Sequence, residues 1–181
     1  ESDGHTVTYG LEEKDDVLGA WDYLLSRNDV DPDRILGFGV SMGAATLLLA
    51  LPDLPRVRAA IADSAFADLE SMARHQYRLF PDAVAGALAG ATAFFGWIET
   101  GIRVADVSPL RALERIRIPI HFFHGSEDRV IPASATERLF EAYRGPKKIR
   151  IEKGAGHGGT AAADPFRYRE EVREFLLEAL K

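Results

Sequence analysis

The sequence predicts an α/β fold: a parallel sheet with helices on both faces. Three observations predict it. Four short apolar runs recur along the 181 residues, at Arg34–Val40, Arg58–Asp63, Ile118–His124 and Lys147–Glu152. They are continuous and do not alternate with polar residues, as expected of parallel strands covered on both sides. Helical patterns separate them, and one strand-to-helix turn carries the residue types of a sharp, strained connection.

Each element has its own warrant. Glu12–Arg27 reads as an amphipathic helix, with Val17, Ala20, Trp21, Leu24 and Leu25 on one face. Arg34–Val40 is the first strand, and the small-residue run Met42–Leu51 is the helix after it. Arg58–Asp63 is the second strand. A long stretch, Asp68–Val107, then interrupts the alternation. It contains Ala83 to Ile98, 16 residues without a charge. A membrane span wants about 20 predominantly apolar residues, so this run reads as a small helical lid inserted after the second strand. One more helix packed on the domain is the plain alternative, and membrane contact is a third. After the third strand, Ala133–Tyr143 follows Pro132 with Leu139, Phe140 and Tyr143 as its apolar stripe. Asp164–Leu180 closes the chain, with Tyr168, Val172, Phe175, Leu176 and Leu180 at helical spacing.

Composition narrows the function. Residues 1–181 suit one domain, and 46% hydrophobic residues are enough for a core. A net charge of −6 and the lack of a basic cluster argue against a nucleic-acid partner. With no cysteine there is no disulfide, no thiolate nucleophile and no Cys-based metal site.

The chemistry rests on three loops. Gly39-Val40-Ser41-Met42-Gly43 is a G-x-S-x-G turn between strand and helix, which would expose the Ser41 hydroxyl above the sheet. Gly39 and Gly43 lack a Cβ, so strand and helix can close around it. The motif arises by chance often enough to need company. His124-Gly125-Ser126-Glu127-Asp128 follows the third strand, and Gly154-Ala155-Gly156-His157-Gly158 follows the fourth. Parallel strands point their C-terminal ends at one sheet edge, so loops after different strands converge there. Serine is a weak nucleophile without a base. His157 is the candidate base, and Asp128 the candidate orienter of its ring. His124 is the competing base and Asp63 the reserve acid. His5 and His75 lie in a loop and in the insertion, and His121 is mid-strand. The Met42 backbone N–H follows the nucleophile and is one candidate oxyanion donor; a second is not identifiable in this chain.

The order Ser41, Asp128, His157 is that of the α/β-hydrolases, and the chain resembles that family. The matching segments are Ser2-Asp3-Gly4, Asp33-Arg34-Ile35, Gly39 to Gly43, Ser108-Pro109-Leu110, Pro119 to Pro132 and Gly156-His157. The resemblance is to small esterase- and thioesterase-type hydrolases, including membrane-tethered acyl-protein hydrolases and their bacterial relatives. It implies an α/β-hydrolase fold and hydrolysis of a carboxylic ester or thioester through an acyl-enzyme. It implies a small-molecule or acyl ester substrate, and neither an organic cofactor nor a metal. A serine at the elbow disfavours the dehalogenase and epoxide-hydrolase branches, which place an aspartate there. In related hydrolases an insertion after the second strand overhangs the site, which makes Phe94, Phe95 and Trp97 candidate pocket walls. A serine peptidase of the same fold, and a hydrolase-fold fragment or binding module inactive without its N-terminal half, are the alternatives.

One departure from the family stands out. Only 40 residues precede Ser41, and none before Arg34 reads convincingly as a strand. The expectation is the C-terminal portion of a larger hydrolase. The Arg34 strand would then be an apolar sheet edge, which natural proteins avoid. It should pair with N-terminal strands outside this chain, on a separate chain or an absent segment.

Overall fold

The computed structural model of the protein describes residues 7–181. Ser2-Asp3-Gly4 and His5 lie outside the described residues.

Four strands, β1 (Gly37–Val40), β2 (Ala60–Asp63), β3 (Ile120–Gly125) and β4 (Lys147–Glu152), form one sheet in the order β1-β2-β3-β4. All three pairings are parallel, with Gly37 opposite Ala60, Ala60 opposite Ile120, and Ile120 opposite Lys147. Three of the four strands begin two or three residues later than the apolar runs predict. The reason is hydrogen bonding. Arg34 N–H turns back to Asp31, and Ile35 enters only by accepting from Arg58. Apolar residues mark what is buried, while the ladder begins where both neighbours pair.

Helices α1 (Glu13–Ser26), α2 (Met42–Ala50) and α6 (Ala133–Ala142) belong to the larger core on one face of the sheet. The Glu13 carboxylate fixes the start of α1 by accepting from the backbone N–H groups of Thr8 and Gly10 at 2.7 and 2.8 Å. This satisfies donors a helix start leaves open. Burial would raise the Glu13 carboxyl, but the Thr8 and Gly10 hydrogen bonds outweigh it and hold it below its usual range. Trp21 is the buried centre of α1. Val17, Leu18, Leu24 and Leu25 flank it, while Ala20 faces solvent, so Leu18 takes the place expected of Ala20. In α2, Ala44, Ala45, Leu48 and Ala50 are fully buried. A fully buried leucine such as Leu48 contributes roughly 1.5–3 kcal/mol.

Helix α8 (Pro165–Ala179) covers the other face, where Tyr168 and Phe175 meet Ile61 and Phe123. Between β2 and β3 lie α3 (Leu69–Gln76), α4 (Asp82–Thr100) and the short α5 (Pro109–Ala112); α7 (Thr160–Ala163) precedes α8. The uncharged run is thus part of one 19-residue helix, α4, in which only Ala85 and Ala89 are buried. By length and composition α4 is apolar enough to cross a membrane.

Candidate active site

The C-terminal ends of β1, β2 and β3, with the loop after β4, build one site at one sheet edge. Ser41 sits between β1 and α2 with φ 56° and ψ −124°, a region that non-glycine residues rarely occupy. Its N–H donates to Asp63 O at 2.8 Å, and its C=O accepts from Ala44 and Ala45. The residue is tied at both ends, which holds such strain in place. A Cβ on Gly39 would lie 2.5 Å from Gly43 O and 2.7 Å from Ala44 Cα. The close approach of β1 to α2 therefore needs glycine at 39. A Cβ on Gly43 would meet nothing within 4 Å, so only one of the two motif glycines makes room for the turn.

Ser41 Oγ lies 2.7 Å from His157 Nε2, and His157 Nδ1 lies 2.7 Å from Asp128 Oδ2. The structure brings all three residues together, although 116 positions separate the first pair. Asp128 is buried, and its Oδ1 accepts from the N–H groups of Val130 and Ile131 at 2.8 and 2.9 Å. Its Oδ2 also lies 3.2 Å from His124 Nε2. His124 is fully buried; its Nε2 donates to Ile131 O at 2.9 Å, and its Nδ1 pairs with Thr136 Oγ1 at 2.7 Å. With Nε2 the protonated nitrogen, Nδ1 accepts from the Thr136 hydroxyl. His124 thus braces the carboxylate from behind and does not approach Ser41. Glu127 is exposed. With Asp128 accepting from Nδ1, the free Nε2 of His157 faces the serine hydroxyl, the arrangement in which an imidazole takes the proton as oxygen attacks a carbonyl.

Asp63 does not bond to His157. It is buried at the end of β2, where Oδ1 accepts from Ser64 Oγ at 2.9 Å and Oδ2 accepts from the Thr160 hydroxyl. Tyr168 OH also points at Oδ2, at 3.5 Å. Burial, with Asp63 beside it, pushes the Tyr168 hydroxyl up to about 12, so it stays a donor. Ser64 itself has φ 56°, and its Oγ accepts the N–H of Gly158 at 3.2 Å. Asp63, through Thr160, and Ser64, through Gly158, therefore hold the segment that follows His157. Sequence reasoning missed Ser64 and Thr160; the adjacency of Ser64 to the reserve acid was the only signal.

The Met42 N–H opens α2, where the first N–H groups have no partner within the helix. Phe94, Phe95 and Trp97 lie on the exposed side of α4, where Phe94 packs on the other two rings at 5.7 and 6.1 Å. The cavity next to the Asp128 loop is walled instead by Phe66, Met72, Phe80, Ile131 and Pro132 among others. Among the described residues, no group of three or more His, Asp or Glu side chains is placed to hold a metal ion.

Comparison with known proteins agrees with this layout. The sequence profile described as "Prolyl oligopeptidase family" matches residues 5–181. The uncharacterized protein YqkD of Bacillus subtilis (strain 168) is 34% identical over 179 residues, which are 97% of this chain and 58% of that protein. The chain thus spans little more than half the length of this curated relative. Among solved structures, the Pyrococcus furiosus esterase Pf2001 superposes with a TM-score of 0.73 at 19% identity, over 100% of this chain and 67% of the other. A Mycobacterium tuberculosis puromycin-hydrolyzing peptidase gives 0.75 at 24% identity, over 95% of this chain and 26% of the other. The fold is that of the α/β-hydrolases.

Proposed function

The chain belongs to the prolyl oligopeptidase family, and from that premise we propose that it is a serine hydrolase that cleaves a carboxylic ester or thioester. One observation carries the reading: the unbroken Ser41–His157–Asp128 hydrogen-bond chain, at 2.7 Å per link, beneath a strained serine. Ser41 Oγ attacks the carbonyl carbon as its proton passes to His157 Nε2. The tetrahedral intermediate collapses, the bond to the leaving group breaks, and His157 returns the proton to that group. Water then attacks the acyl-enzyme with His157 again as base, releasing the acid and restoring Ser41. Asp128 holds the ring and stabilises the imidazolium. The Met42 N–H is one donor to the oxyanion. Losing one such donor typically costs about 100- to 1,000-fold in turnover, so the position of the second matters.

In this family of folds the second donor comes from a loop after an earlier strand. The same proposal therefore includes a strand that pairs with the outer side of β1 and brings that loop with it. Among the described residues no strand lies on that side of β1, and Phe38 is 58% exposed there, which supports it.

A second reading has a specific observation behind it. The family carries a peptidase name, and the puromycin-hydrolyzing peptidase is among the structures it resembles. Amide hydrolysis uses the same steps with an amine as leaving group. Turnover of 4-nitrophenyl butyrate against an aminoacyl 4-nitroanilide, with Ser41→Ala as control, tests both. The ester is expected to turn over and the variant to be inactive. Turnover of the anilide alone would favour the peptidase, and unchanged turnover in Ser41→Ala would remove the nucleophile assignment.

A further inference from the structure

A cavity of about 560 Å³ opens between α3, the start of α4 and the start of α6. Two of its wall residues neighbour the site. Ile131, in its wall, donates its N–H to Asp128 Oδ1. Phe66, also in the wall, follows two residues after Ser64, which holds the His157 loop. The wall also carries positive charge: Arg74, Arg78 and Arg138 line it, with Asp82 as the only acid among the described lining residues. The chain as a whole carries a net charge of −6. Among the described residues, the wall of this cavity inverts that balance beside the site.

The three guanidinium groups are not equally engaged. Arg138 clamps α6 to α3, donating to Asp68 Oδ2 at 2.8 Å and Ser71 Oγ at 3.1 Å. Burial would raise the Asp68 carboxyl, but hydrogen bonds from Ser71 and Arg138 outweigh it and hold it below its usual range. That pair is structural. Arg74 reaches Glu70 only at 3.5 Å, on the exposed surface, where such pairs are worth little. Arg78 uses one Nη1 on His75 O and keeps its other donors. Placement at the C-terminal turn of α3 explains cations at 74 and 75 through the helix dipole. It does not explain Arg78, beyond the helix, or the convergence of all three on one cavity. Nε2 of His75, another wall residue, is buried without a hydrogen-bond partner among the described residues, a cost that native structures seldom leave unmet.

We propose that this cavity is a subsite for a carboxylate carried by the substrate, bound by Arg74 and Arg78 while the scissile carbonyl lies at Ser41. Arginine suits this task because its planar fork matches a carboxylate with two parallel hydrogen bonds. The apolar side accepts the methylene or aromatic spacer between the carboxylate and the scissile bond. The inference rests on the serine-hydrolase reading of Ser41. The carboxylate belongs either to the acyl part or to the leaving group, and two matched pairs separate these. One is 4-nitrophenyl hemiglutarate against 4-nitrophenyl pentanoate; the other is 4-acetoxybenzoate against 4-acetoxybenzamide.

The carboxylated member of at least one pair is expected to show a kcat/KM about 10-fold or more above its neutral partner, falling as salt is added. In the double variant Arg74→Gln, Arg78→Gln that ratio should collapse toward unity. Fluorophosphonate labelling of Ser41 in the variant confirms that the site still forms. No preference in either pair, or a preference that survives the double variant, overturns the subsite. If none of these esters turns over and Ser41 takes no label on a chain folded and paired along β1, the hydrolase reading fails instead. Calorimetric titration with glutarate against 1,5-pentanediol then decides the subsite alone. Glutarate binding lost in the double variant upholds it, and no glutarate binding overturns it.

Discussion

Asp128 accepts from three donors, two backbone N–H groups and His157, and His124 Nε2 packs 3.2 Å from its Oδ2. A carboxylate so surrounded has one rotamer available, and His157 inherits that rigidity. The same holds for the Asp63–Ser64–Gly158 chain that holds the segment after His157. Ser64→Ala removes one acceptor for Gly158 N–H and leaves the triad intact. A lost neutral hydrogen bond is worth about 1 kcal/mol, so kcat is expected to fall roughly fivefold with KM nearly unchanged. Steady-state kinetics checks this; a change confined to KM would contradict it. Ser41, Asp128 and His157 were legible because each sits in a short motif after an apolar run, in a telling order. Ser64 and Thr160 were not. Their roles exist only once segments about 95 residues apart meet, and neither carries a local pattern.

At the scale of the element, a close approach seats the His157 loop on the end of β3. A Cβ on Gly125 would lie 2.3 Å from Ala155 O and 2.5 Å from Gly156 O, both backbone atoms of the His157 loop. Gly125→Ala is therefore expected to push that loop away. It should cost about 1–3 kcal/mol, the usual range for overpacking, and most of the activity. A urea midpoint equal to that of the parent would contradict this.

His121 on strand β3 is expected to make the stability fall in acid. His121 stacks on Phe123 at 4.1 Å and meets Phe175 edge-on at 5.3 Å. Burial pushes its imidazole down to about 4, helped by Lys148 and Arg150 and opposed by Glu171. Below about 6.5 the unfolded chain gains a proton there that the folded chain refuses. Stability is then lost as pH falls from about 6.5 toward 4, by up to ~3 kcal/mol. His121→Phe keeps the aromatic packing and should flatten that slope, as read by urea midpoints at pH 7 and 4.5. Equal slopes in both proteins would show that other groups carry it. The apolar pattern located every strand and the four long helices flanking them, because burial is what hydropathy records. It did not locate ladder ends, which depend on a neighbour's hydrogen bonds. Nor did it tell which side of α4 faces solvent, since that helix is apolar nearly all round.

For the whole molecule, the unsettled surface is the outer side of β1. Among the described residues no strand pairs there, and Phe38 and Val40 are 58% and 38% exposed. An open apolar edge templates pairing with another strand. The chain by itself is expected to self-associate as its concentration rises, and Phe38→Lys to reduce that association. Sedimentation velocity across a concentration series checks both, and a parent chain that stays monomeric at every concentration would contradict the expectation.

An intact mass spectrum after fluorophosphonate treatment, beside a Ser41→Ala control, decides whether Ser41 is an activated nucleophile. One adduct is expected, mapping to Ser41 and absent from the control. An adduct elsewhere, or none on a chain shown to be folded and paired along β1, would contradict an activated serine at this site.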